Sequence, residues 1–288
     1  MVYFYDKNHS YFNLWDEKYE SVSGLIEPFK EDFDDEFISL RMAYRLFNED
    51  LYKKATSIVN FGDPKILDIL RSYISDIEYE KVLQKSIELN IGWKEYCDER
   101  KEYGTGIHSE FENEDTIRGY KINPFDGLKY KVIPRQGSDI YDNSFFIPEV
   151  LKMRENVCML ECLVADNESK SAGQEDVSFF KYLGAGQFGI FNKDYKTDKR
   201  IDYKSFFNRG YLMLKDEMNY FMDCSFYIYS LKQSMYSIMQ EKLGCKILGN
   251  CLLHVPENGK HKYIKTLYYR KHAMKVLEKR IEFLKKNS

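Results

Sequence analysis

Cysteine is scarce: six in 288 residues, at 97, 158, 162, 224, 245 and 251, with no CxxC pair. That spacing argues against a disulfide framework and leaves buried or incidental thiols of a reducing compartment. Long apolar runs are missing too. None approaches the roughly 18 residues that span a bilayer, and "MVYFYDKNHSYF" lacks the charged and apolar regions of a signal peptide, so an intracellular, cytoplasmic protein with no membrane partner is expected. Nor does one sign of charge prevail. With 43 basic and 46 acidic residues the net is -3, which excludes a global field that draws the whole molecule to a polyanion and leaves that task to a local basic patch. What is present is a 43% hydrophobic, 16% aromatic composition with 24 Tyr and 20 Phe, ample for a buried core. The Tyr, Phe, Lys, Asn and Ile bias is consistent with an AT-rich genome.

Along the chain, "VYFYDKNHSYFNLW" alternates aromatic and polar residues about Asp6-Lys7-Asn8, which predicts an antiparallel hairpin. From Phe37 to Glu102 apolar residues recur at three and four, the pattern of helices, with Asp63 capping and Pro64 opening one of them. "YKVIP" and "VCMLECLVA" read as strands and "NESKSAGQED" as a polar loop. "YLGAGQFGIF" and "KRIDYKSFF" then read as two strands of a hairpin whose tip is "NKDYKTD". A helix through "CSFYIYSLKQSMYSIMQEKL" ends at Gly244, "CKILGNCLLHV" is a strand, and "YRKHAMKVLEKRIEFLKK" is a basic closing helix. The order predicts a mixed α/β fold with a helical N-terminal portion. No repeat or linker divides it, so a single domain over 1–288 is expected, with a hairpin and helical extension over 1–90 and the core over 91–288.

"LGAGQFG" has the form of a kinase phosphate loop, but the strand lysine, catalytic-loop Asp and metal Asp of a kinase do not follow. "IDYKS" offers more. On a strand Asp202 and Lys204 project from one face, where a carboxylate can hold Mg²⁺ and a lysine can orient water or stabilise charge on a phosphate. His108 and Glu112 are spaced four apart on a helix that Gly104-Thr105-Gly106 is expected to open, and Gln233 and Tyr236 three apart on another, suited to bind phosphate or brace the lysine.

Together "GTGIHSEFE", "GQFG", "DYKS" and "QSMY" resemble the ordered motifs GTxxHxxxE, GQxD, (D/E)YKT and QxxxY of the PD-(D/E)XK nuclease superfamily. The resemblance is to its RecB-like group of phage exonucleases and mitochondrial genome-maintenance exonucleases, and "YDKNHSYF…SVSGLIEPF" and "GWKEYCDERKEYGTGIH" extend it from about Val2 to His254. It implies a restriction-endonuclease-like mixed central sheet flanked by helices. It also implies a Mg²⁺- or Mn²⁺-dependent DNA nuclease, an exonuclease on DNA ends or single strands in viral replication, recombination or repair, with protein partners from those processes. Residue by residue it implies Asp202 and His108 as metal ligands, Lys204 as the catalytic lysine, and Gln233 and Tyr236 as supports. The first metal Asp of the family falls at Gly189, which leaves a vacancy. Asp194 and Asp198 sit at the expected hairpin tip, so Glu112 or Glu161 is expected to fill it, or else the chain is an inactive nucleic-acid- or protein-binding module. Cys97, Cys245 and Cys251 echo the iron-sulfur subgroup but lack a fourth ligand and its spacing, so no cluster is expected. "KHKYIKTLYYRKHAMKVLEKR" mixes cations with rings that can track phosphates and stack on bases.

Overall fold

Alternation of aromatic and polar residues at the N-terminus becomes a pair of antiparallel strands, β1 (Val2–Tyr5) and β2 (Ser10–Asn13), in the computed structural model. It describes residues 2–5, 10–30, 33–60, 62–134, 140–141, 146–207 and 210–287, so the expected turn at Asp6-Lys7-Asn8 lies outside the described residues. β3 (Lys18–Ser21) follows a turn in which Asn13 Oδ1 accepts from the Trp15 and Glu17 amides. Ser21 then caps α1 (Val22–Ile26).

The three- and four-residue periodicity gives α2 (Asp35–Phe47), α3 (Glu49–Ile58), α4 (Lys65–Ser72) and α5 (Asp76–Arg118). Asp34, Asn48 and Asp63 accept from the first free amides of α2, α3 and α4, which a helix start leaves without partners. Their apolar stripes bury Ala43, Tyr44, Ala55, Ile66, Leu70 and Val82 in a core of their own. Contacts divide the chain into two compact units, Met1–Lys30 with Gly104–Tyr203 and Met213–Ser288, and Glu31–Tyr103 with Lys204–Leu212. α5 changes unit at Gly104.

The chain continues through β4 (Tyr120–Ile122), β5 (Lys129–Ile133), β6 (Ile140–Tyr141), α6 (Phe146–Val150), β7 (Val157–Asp166), β8 (Ser171–Gly184) and β9 (Gln187–Lys196). After β10 (Phe206–Phe207) and β11 (Gly210–Tyr211) come α7 (Ser225–Lys242), β12 (Lys246–His254), β13 (Lys262–Thr266) and α8 (Arg270–Lys286). The first unit is mixed α/β around a sheet of 11 strands ordered β13-β12-β9-β8-β3-β2-β1-β6, with β7 on the other edge of β8 and β5 and β4 beyond it. β9 and β12 run parallel, as do β5 and β7, and β3 and β8. Leu231, Met235, Ile238 and Met239 of α7 pack on one face of this sheet, and Ile107 and Phe111 of α5 on the other. No helix among the described residues is long and apolar enough to cross a membrane.

Three expectations are corrected. "SAGQED" is not loop: the turn is confined to Asn167–Lys170, and Ser171 already belongs to β8. "NKDYKTD" is not a hairpin tip. Gly184 pairs with Gln187, so the loop is Ala185-Gly186, with φ of 49° and 75°, the left-handed pair that a two-residue hairpin of this twist needs, and Asn192–Lys196 lies inside β9. Asp202 and Lys204 lie on no strand: the Asp202 amide donates to Ser225 Oγ and its carbonyl accepts from Phe226 N–H, so both backbone groups serve the start of α7 instead of a ladder.

Candidate metal centre

The sheet forks at β8. β3 pairs with Ser171 and Ala172, β9 pairs from Val177 onward, and among the described residues no strand pairs with the edge between them. Across β7, Leu160 pairs with Val177 and Cys162 with Glu175, but Glu161 and Asp176 do not pair. Leu160 packs with the α5 side and Cys162 with the α7 side, although two residues apart should share a face. The inversion falls at Glu161, whose φ is +50°, and it turns a place in the sheet into a place for polar side chains.

His108 of α5 comes down on this break. Its Nδ1 stands 3.5 Å from Asp176 Oδ1 and 4.0 Å from Glu161 Oε1. One ligand atom from each of the three lies within 4.8 Å of the others, and no other such His, Cys, Asp and Glu group occurs among the described residues. Gln174 Nε2 holds the second Glu161 oxygen at 2.5 Å, and the Tyr195 amide holds Asp176 Oδ2 at 2.5 Å. Gly104-Thr105-Gly106, expected to open the helix, is instead inside α5. A Cβ on Gly104 would come within 3.1 Å of Thr197 Oγ1, so glycine there lets the helix approach the end of β9.

Beside this trio Asp194 and Lys196 occupy alternate positions of β9 and form an ion pair. Glu175 is fully buried, and Gln233 of α7 donates to its Oε1 at 3.2 Å while its Oε2 has no hydrogen-bond partner. Burial, then Asp194 and Asp176, push the Glu175 carboxyl well above the usual range. Burial, then Asp194, raises Asp176 to about 7, against the pull of His108, Lys196 and the Tyr195 amide. Burial would lower the Lys196 ammonium, but Asp194 and Asp176 outweigh it, and the group ends above its ordinary value. Several carboxylates thus crowd one ammonium at low dielectric, and one buried oxygen is orphaned. Oxygen donors with one imidazole and surplus negative charge fit a hard divalent cation such as Mg²⁺ or Mn²⁺.

The α7 residues behave differently from expectation. Gln233 does not brace a lysine. It is buried, donates to the Cys251 carbonyl at 2.8 Å as well as to Glu175, and accepts from Thr266 Oγ1 at 2.5 Å, so it ties β8, β12 and β13 together. Tyr236 packs its ring over Gly173, where a Cβ would come within 2.2 Å of it, and burial pushes its phenol far up, with no phosphate-facing role visible. Tyr229, not singled out from the sequence, lies with its ring centroid 4.9 Å from Lys196 Nζ and donates to Asp198 Oδ2 at 2.6 Å.

Of the sequence candidates, His108 and Glu161 are brought together, and Glu112 is outside the trio. Asp202 is outside it too, paired with Arg200 at 2.8 Å. Lys204 belongs to the second unit. Gly189 is outside the trio and leaves little room for a side chain: it pairs with Lys181 and Lys246, and a Cβ would lie 2.3 Å from Leu248 Cδ1. Asp176, Glu175 and Lys196 are the residues that sequence reasoning missed, and Asp194 was set aside with the expected hairpin tip. Their signal was present, as "GQED" and a first "DYKT". A comparison with family models and with curated proteins finds no match to this chain.

Proposed function

We propose that this chain is a divalent-metal-dependent deoxyribonuclease on a restriction-endonuclease-like sheet, hydrolysing phosphodiesters at DNA ends or in single strands. The observation that carries the reading is the convergence of Asp176, Glu161 and His108 beside the Asp194-Lys196 pair at a fork in the sheet. With the strands placed as described, GQxD fits Gly173-Gln174-Glu175-Asp176 and (D/E)YKT fits Asp194-Tyr195-Lys196-Thr197, both without substitution. The inactive-module reading rested on Gly189 and loses that support. Viral replication, recombination or repair remains the setting that the resemblance suggests.

Asp176, Glu161 and His108 would hold Mg²⁺ or Mn²⁺, with Asp194 and Glu175 adding negative charge. The cation would supply Lewis-acid polarisation of the phosphodiester. Lys196, kept protonated by Asp194 and Asp176, is suited to stabilise charge growing on the phosphate and to orient the attacking water by donating from Nζ, and is poorly suited to take its proton. Tyr229 and Asp194 both contact that ammonium.

The test is incubation with end-labelled single- and double-stranded DNA in Mg²⁺, Mn²⁺ or EDTA. Cleavage that needs the metal and disappears in Asp176→Asn and Lys196→Ala is expected. Cleavage that survives both substitutions, or none by the wild type with either metal, overturns the reading.

A further inference from the structure

Beside the Asp194-Lys196 pair lies a lysine with no carboxylate of the described residues in ion-pair contact. Lys196 is paired with Asp194, and Lys30 with Glu27 at 3.1 Å. A second cation beside Lys196 is Lys232, which precedes Gln233 on α7, is half-buried, and makes no hydrogen bond or ion pair with any described residue. Its Nζ lies 5.9 Å from the centroid of the Tyr229 ring, the ring that Lys196 Nζ approaches to 4.9 Å. Burial and then Lys196 lower its pKa to about 8, against the pull of Asp194. An ammonium brought close to a second ammonium and partly desolvated, with no carboxylate of its own, is costly unless an anion arrives.

We infer that Lys232 binds a second phosphate of the substrate strand, adjacent to the one being cut, with the Tyr229 ring within reach of both Lys196 and Lys232. The inference rests on the nuclease reading and deepens it. It makes the substrate an oligonucleotide whose recognition needs two phosphates, in preference to a small phosphodiester. Tyr229, anchored through its hydroxyl to Asp198, is a positioning residue for both cations. Asp198 in turn is tied to β12, because its carbonyl stands 2.7 Å from His254 Nε2. The platform is therefore tied to β12, which pairs with β9, the strand of Asp194 and Lys196.

A fluorescein-labelled thymidine dodecamer, titrated in Ca²⁺ against wild type, Lys232→Met and Lys232→Arg, tests this. Lys232→Met is expected to bind roughly ten-fold more weakly and to lower the slope of log affinity against log salt by roughly 0.7, the loss of one phosphate contact on a single strand. Lys232→Arg should keep the wild-type slope. With Mg²⁺ the methionine variant should raise KM and leave kcat nearly unchanged, the pattern of lost uniform binding. If Lys232→Met fails to fold, Lys232→Gln takes its place. Wild-type affinity and salt slope in the neutral variant, with the wild type still cutting DNA in Mg²⁺, overturn this inference and leave the nuclease reading standing. A wild type that neither binds nor cuts overturns both.

Discussion

The tripeptide Asp-Tyr-Lys occurs twice within eleven residues, at 194–196 and at 202–204, and the two copies have opposite fates. In the first, β9 alternates its side chains, so Tyr195 is buried against Phe111 and His108 while Asp194 and Lys196 pair beside Glu175 and Asp176. In the second, Asp202 is held by Arg200, Tyr203 is 47% exposed, and the backbone of Asp202 serves α7. Identical residue types carry different chemistry because one set is desolvated among like charges and the other is in water. Burial and carboxylate crowding, not the local letters, set the first copy apart.

That contrast is sharpest in cleavage. Lys196→Ala and Asp176→Asn should each lower the metal-dependent rate by about 100-fold or more, the usual cost of removing a preorganised charged group, whereas Lys204→Ala and Asp202→Asn should stay near wild type. Rates on end-labelled DNA check it. Next in size is the brace: Gln233→Leu strands the Glu175 carboxyl and the Cys251 carbonyl, and urea melts should show a loss of about 2–3 kcal/mol. Gly189→Asp, which would restore a ligand if Gly189 were the vacated position, should gain no cleavage and lose about 1–3 kcal/mol as the side chain meets Leu248.

The most gradual effect is in pH. Asp176 titrates near 7 in the folded protein but near the ordinary carboxyl value when unfolded, so across the interval between them the folded state keeps a proton that the unfolded state has released. Stability of the metal-free protein should therefore fall as pH rises through that interval, by about 1.4 kcal/mol per pH unit for each such group, and level off above it. Glu175 acts in the same direction. Urea melts of Asp176→Asn should show a shallower slope, and an unchanged slope would count against the buried carboxyl as its source.

Much of the fold was legible. Periodicity marked α2, α4 and α5 but neither α3 nor the break between α4 and α5; Gly244 with φ of 87° ends α7, and β7, β12 and α8 lie where their patterns put them. His108 and Glu161 were legible as ligand candidates. The acidic half of the site was not, because "SAGQED" has the polarity of a loop. Ser171, Glu175, Asp176 and Ser178 are buried, and several are hydrogen-bonded by partners that only the tertiary structure supplies, such as Asn192 for Ser178 and Gln233 for one oxygen of Glu175. Periodicity assumes that polar residues seek water, and this strand breaks the assumption at the site. The hairpin was misplaced for a related reason: Ala185 takes a left-handed φ that alanine rarely adopts, so the turn carried a weaker signal than the polar run "NKDYKTD".

Calorimetric titration of Mn²⁺ into wild type, Asp176→Asn and Asp202→Asn tests the placement of the site most directly. The expected result is saturable binding in the wild type and in Asp202→Asn, lost or at least severely weakened in Asp176→Asn. Binding that survives in Asp176→Asn and vanishes in Asp202→Asn would contradict it and return the metal to the second Asp-Tyr-Lys.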